Sequence, residues 1–227
     1  MKHIVKNALF SLGLIAIAQG TMAAGDATAG ATKAAVCGAC HGADGNSMMA
    51  TFPKLAGLGE KYLLKQIKDI KAWDSEQDAA KKAKTGRAVP EMTGILANLN
   101  DQDIADVAAY FASQTTQLAG SKKLEVKVNS GIMVDALELG ERTYRSGNAT
   151  TGVPACTGCH APDGKGNIPA GFPRLSGQHA DYTEKQLRAW RAGERTNDGD
   201  AMIMRSVAEH LSDAEIKALA NYIAGLN

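Results

Sequence analysis

The chain has 227 residues, 5% of them aromatic, with 25 Lys and Arg against 24 Asp and Glu and a formal net charge of +1. That length suits two compact domains of about 100 residues each. The scarcity of aromatic side chains excludes a large aromatic core, and the absence of a basic tract argues against nucleic acid as a partner.

At the N-terminus Lys2 and Lys6 precede an apolar stretch over 8–18 and the small residues Thr21, Ala23 and Ala24. This order predicts a cleavable secretory signal over 1–23. The apolar stretch is too short to span a bilayer, and no later apolar run approaches that length. Cleavage leaves 23 basic against 24 acidic side chains, so partner docking is expected from local patches rather than from a strong overall field.

A helix is expected over 26–36, leading into Cys37-Gly38-Ala39-Cys40-His41. The same pattern returns as Cys156-Thr157-Gly158-Cys159-His160, and the two motifs use all 4 cysteines of the chain. Cys-x-x-Cys-His is the signature of c-type haem attachment. Two thiols three positions apart can each add to one vinyl group of a haem edge, and the following imidazole then lies under the iron as its proximal ligand. Disulfides fit poorly, because a Cys-x-x-Cys bridge closes too short a loop to brace a fold. A zinc site made of both pairs leaves the two adjacent histidines unexplained.

After the first motif comes Phe52-Pro53-Lys54-Leu55-Ala56-Gly57, matched after the second by Phe172-Pro173-Arg174-Leu175-Ser176-Gly177. Amphipathic helical segments follow over 61–67 and 181–187. A last helix is expected in each half: Asn100 precedes 101–111, and Ser212 with Glu215 forms a capping-box pattern ahead of 216–223. A further helix over 134–144 leads toward the second motif. The Ser-, Thr-, Lys- and Gly-containing stretch 114–131 reads as a linker. No convincing period-two alternation appears, so the fold class is all-α, with domains over 24–113 and 132–227, each a few helices around one covalent haem.

This internal repeat selects the sixth ligands. Met92 lies seven residues before Leu99 and nine before Asp101, and Met204 lies seven before Leu211 and nine before Asp213. A thioether at equivalent places in both halves is what a duplicated Met/His site requires. Met202 aligns with Pro90 and is expected to be a packing residue. Met48 and Met49 have no counterpart and read as loop or haem-edge residues. His179 and His210 align with Gly59 and Asn98 and are expected to be exposed or hydrogen-bonded; a bis-histidine haem needs one of them to displace Met204. The first half carries about eight extra residues within 73–89, a charged stretch expected to form a solvated helical turn or loop; it is assigned no function, though it stands where it could reshape the approach to the first haem.

These residues resemble the dihaem cytochromes c4, tandem class I cytochrome c domains exported to the bacterial periplasm. The similarity runs from Gly25-Asp26 through Ala34-Ala35-Val36-Cys37, His41-Gly42-Ala43-Asp44-Gly45-Asn46 and both Phe-Pro turns to Arg195-Thr196-Asn197-Asp198-Gly199-Asp200. The resemblance implies thioethers at Cys37, Cys40, Cys156 and Cys159, and irons held by His41 with Met92 and by His160 with Met204. It also implies domains packed about a pseudo-twofold axis with haem edges facing each other, and electrons passed toward a terminal oxidase. On this reading the protein is not an enzyme but a periplasmic carrier between redox proteins, an upstream donor and a terminal oxidase, and associates at most peripherally with the inner membrane. Two rivals use the same motifs: an electron-entry subunit of a larger oxidoreductase, and a haem enzyme or sensor with one labile axial ligand.

Overall fold

Asp26 starts the first helix. Its carboxylate accepts hydrogen bonds from the backbone N–H groups of Thr28 at 2.7 Å and Ala29 at 3.2 Å, satisfying donors that the first turn leaves open. The structure, a computed structural model, describes residues 24–227, so the expected leader over 1–23 lies outside the described residues. Helix α1 (Ala27–Lys33) passes almost without a break into α2 (Ala35–His41), which carries the first Cys-x-x-Cys-His motif. Then come α3 (Glu60–Ser75), α4 (Ala79–Thr85), a 3₁₀ turn at Pro90–Met92 and α5 (Asp101–Ser113).

The second half has α6 (Ala136–Ser146), α7 (Thr157–His160), α8 (Ala180–Arg191), a 3₁₀ turn at Gly199–Ala201, α9 (Ile203–Glu209) and α10 (Asp213–Gly225), so that its 3₁₀ turn precedes a short helix where that of the first half follows one. Both final helices open with a capping box, Asn100 with Asp103 and Ser212 with Glu215. The segment between the halves adds an antiparallel pair, β1 (Glu125–Lys127) and β2 (Met133–Asp135), in which Val126 faces Val134. Three residues per strand are too few to show alternation in the sequence. Val126 is nevertheless buried against Ala136, Leu139, Ala214 and Ala218.

The first and last helices of each half cross so closely that only glycine fits. A Cβ on Gly30 in α1 would lie 2.0 Å from the carbonyl oxygen of Asp106 in α5, and one on Gly140 in α6 would lie 2.3 Å from that of Ala218 in α10. Around these crossings sit two cores. Ala34, Leu63, Val107 and Phe111 form the first; Tyr144, Trp190, Ile216, Leu219 and Ile223 form the second. Each fully buried large apolar side chain contributes about 2 kcal/mol of transfer free energy.

The halves meet where α3 and α4 face the loops on either side of α8. Lys61 donates to the carbonyl of Pro169 at 3.1 Å, and Thr196 Oγ1 donates to the carbonyl of Ala83 in α4 at 2.5 Å. The extra residues of the first half form the exposed helix α4, capped by Asp78 as its composition suggests. The helix lies beside the second half, where Lys84 pairs with Asp200 at 2.8 Å.

Candidate functional site

The first motif occupies the last turns of α2, which point Cys37, Cys40 and His41 into a cavity of about 340 Å³. Phe52, Pro53, Leu55, Leu63, Ile67 and Met92 line the same space, so the candidate proximal and distal ligands of the first half come together around an apolar interior. Met92 is the last residue of the 3₁₀ turn that Pro90 begins. In the second half, Cys156 and Met204 pack on one core cluster that includes Tyr144, Trp190, Leu219 and Ile223. Cys159 is partly buried, and His160 is 7% exposed at the end of α7, the same exposure as His41.

The repeated Phe-Pro turn explains how each imidazole is aimed. His41 Nδ1 is 2.8 Å from the carbonyl oxygen of Pro53, and His160 Nδ1 is 2.9 Å from that of Pro173. A carbonyl can only accept, so Nδ1 carries the proton and Nε2 keeps its lone pair free to bind a metal. The preceding phenylalanine supports the ring edge-on: Phe52 lies 6.2 Å from His41 and Phe172 lies 6.2 Å from His160, centroid to centroid. Burial holds both imidazoles below the usual histidine value, against the raising pull of the proline carbonyls, and so keeps them neutral and able to ligate. Burial likewise pushes the Cys37 thiol up and the Cys156 thiol up to about 11.

A polar cluster that the sequence did not single out as functional joins the first cavity to the second half. Arg87 donates to Gln66 at 2.9 Å in its own half, and to Tyr182 at 2.8 Å and Gln186 at 3.1 Å in the other. Arg195 mirrors it, donating to Gln186 at 2.6 Å in its own half, and to Gln66 at 2.8 Å and the Tyr62 hydroxyl at 3.4 Å in the other. Both arginines line the cavity that holds His41. All of these acceptors are neutral oxygens, and the nearby Asp69 carboxylate is taken up by Lys65 and Asn197, so the two guanidinium groups suit the carboxylates on a haem edge. The signal in the sequence was the shared Tyr-x-x-x-Gln spacing, Tyr62 to Gln66 and Tyr182 to Gln186, on otherwise amphipathic helices.

The remaining candidates lie apart from this centre. Met48 is 91% exposed and Met49 also faces solvent, in a loop, as expected. Met202 was expected to pack, but it is 44% exposed and has a left-handed backbone with φ 46°, forming the junction ahead of α9. It turns the chain there, which puts Met204 rather than Met202 against the core. His210 is exposed at the end of α9. His179 bonds through Nε2 to the carbonyl of Ser47 in the other half at 2.9 Å. That bond gives His179 a role at the interface between the halves, in line with the expectation of a hydrogen-bonded residue.

A family model for Cytochrome c matches residues 27–115 and again 140–227. Cytochrome c4 of Azotobacter vinelandii is 52% identical over 227 residues, all of this chain and all of that one. The chain belongs to the cytochrome c4 family. The crystal structure of reduced recombinant cytochrome c4 from Pseudomonas stutzeri superposes with a TM-score of 0.80 at 53% identity, covering 90% of this chain and 100% of that one. A protein of Stutzerimonas stutzeri named thiosulfate dehydrogenase electron acceptor is 36% identical, over 87% of this chain and 82% of its own length.

As a member of the cytochrome c4 family the chain is a dihaem electron-transfer cytochrome, with two covalent c-type haems attached through Cys37 and Cys40 and through Cys156 and Cys159. The residues fit that group: apolar cavity walls, neutral imidazoles with a free Nε2, and guanidinium groups at the edge between the halves. When bound, the haems supply irons that gain and lose one electron.

Proposed function

We propose that this chain is a periplasmic shuttle for single electrons whose two irons are closed by His41 with Met92 and by His160 with Met204. The observation that carries this reading is the first cavity, where His41 and Met92 line one apolar space together with both cysteines. A thioether opposite an imidazole favours ferrous iron and occupies the position that a substrate would need. On this reading the leader spans 1–23, the haem domains span 24–113 and 132–227, and 114–131 joins them, with the haem edges facing each other across Arg87 and Arg195. Among the described residues no helix is long and apolar enough to cross a membrane, in keeping with a carrier that binds membranes only peripherally.

A terminal oxidase is the acceptor this reading favours, and an upstream respiratory protein the donor. A second reading draws on the relative named as a thiosulfate dehydrogenase electron acceptor: here the chain receives electrons directly from a dehydrogenase, as its dedicated partner. Mixing the reduced holoprotein with purified oxidase, and the oxidised holoprotein with a thiosulfate-oxidising dehydrogenase, separates the two by which reaction is fast.

The ligand assignment is tested in Met92→Leu and Met204→Leu. Each variant is expected to lose about half of the ferric sulfur-to-iron charge-transfer band, to lower one of two reduction potentials and to open one iron to carbon monoxide. Unchanged potentials in either variant remove that methionine from the site.

A further inference from the structure

The peptide unit between Pro53 and Lys54 is hydrogen-bonded on both sides. Its carbonyl, on Pro53, accepts from His41 Nδ1 at 2.8 Å, and its N–H, on Lys54, donates to Gln178 Oε1 at 2.9 Å. Gln178 belongs to the second half. Its Nε2 returns a bond to the carbonyl of Lys54 at 2.9 Å, and its Oε1 also accepts from the backbone of His179 at 3.0 Å, which fixes the orientation of the amide. Gln178 is 7% exposed and Lys54 is 5% exposed, so these bonds are shielded from water. Beside them, His179 bonds to the Ser47 carbonyl of the first half and holds the same loop.

We propose that Gln178 is a positioning residue for the proximal ligand of the first haem, acting across the domain interface through this peptide. An amide N–H that is bonded to a good acceptor makes its own carbonyl a stronger acceptor. The stronger carbonyl pulls harder on the Nδ1 proton of His41, raises the basicity of Nε2 and favours ferric iron. Gln178 therefore lowers the reduction potential of the first haem. Among the described residues the second half has no matching device, because Leu58 stands at the place in the first half that Gln178 occupies in the second, and an alkyl side chain neither donates nor accepts. The second half thus tunes the first, and the first does not tune the second by this route.

The proposal rests on ligation of the first iron by His41. It is tested with Gln178→Leu in the holoprotein, which copies the residue found in the other repeat. Two readouts are taken: spectroelectrochemical titration of both haems, and deuterium exchange of the histidine Nδ1–H protons in ¹⁵N-histidine-labelled protein. The expected result is a rise in the first potential with the second unchanged, and faster exchange at His41 with His160 unaffected. Lys61→Met is the control, since it removes the bond to Pro169 at the same interface without touching the 53–54 peptide; it is expected not to raise the first potential. A rise in both potentials, no rise in either, equal changes at both histidines or an equal rise in Lys61→Met overturns the proposal. The unmodified protein separates this failure from that of the ligand assignment: two Met/His ferric spectra with no effect of Gln178→Leu sink the proposal alone.

Discussion

The two halves share their candidate ligands and their crossing glycines but differ in how those parts are supported. In the first, α1 runs straight on into the motif helix, and the candidate distal ligand ends a 3₁₀ turn after an inserted helix. In the second, the motif sits on a four-residue helix after a loop, and Met204 lies inside α9. What the halves hold in common is therefore the short list that the haem demands: two thiols, an imidazole tied to a proline carbonyl, and a close pair of helices. The difference teaches that the chain leading to a ligand is free to vary once its end point is pinned.

The hardest way to break the comparison is at the helix crossings. Gly30→Ala and Gly140→Ala each force a Cβ into a backbone carbonyl of the partner helix, and each is expected to cost about 3 kcal/mol through overpacking. Differential scanning calorimetry of the two variants checks this. Similar losses, each borne by the half that carries the substitution, keep the halves equivalent; a loss in only one shows that their crossings differ in tightness.

A smaller and one-sided effect is expected from Asp106, which has Ala218 at the equivalent place. The Asp106 carboxylate accepts from the backbone N–H of Asp26 at 2.9 Å, from Lys33 at 2.5 Å and from Gln102 at 2.8 Å. These bonds, led by that from Asp26, lower its pKa from 3.8 to about 2. A carboxyl lowered in the folded state stabilises it fully above its unfolded value and loses that contribution as pH falls through the folded one. Asp106→Asn is thus expected to weaken the first half at pH 6, and the gap from the parent to close as pH falls from about 4 to about 2. Unfolding followed at several pH values checks this, and a gap that stays constant would show that charge is not the cause.

The smallest effect sharpens the role of the insertion. Lys84 and Asp200 are both largely exposed, so Lys84→Ala is expected to change stability by no more than about 0.5 kcal/mol. Urea titration checks it, and a loss well beyond that would make α4 a principal clasp between the halves.

The haem motifs, the duplicated methionine offsets and both final helices were legible in the sequence because their chemistry is local: fixed spacing, capping residues and helical periodicity. The Asn100 cap could be read, and its capping box with Asp103 emerged in the structure. The hairpin at Glu125–Lys127 could not be read, since its single buried valine makes no pattern. Gln178, Arg87 and Arg195 escaped for another reason. Each acts through a partner about 100 residues away, and a glutamine in a turn looks the same whether it faces water or a peptide group of the other half. Met202 illustrates a third limit. Its hydrophobicity argued for packing, while the left-handed turn that exposes it is a property of the backbone path.

The segment joining the halves is fastened along its length. Thr116 Oγ1 donates to the Ala56 carbonyl and Gln117 N–H to the Asn46 side chain on one side; Ala119 N–H bonds to Gly177, Gly120 N–H to Ala224 and Lys122 N–H to Asn221 on the other. A tether of this kind removes the diffusive search that a floppy linker imposes between domains. An electron exchanged between the halves would then cross a gap of set width, with no search step for the halves to find each other.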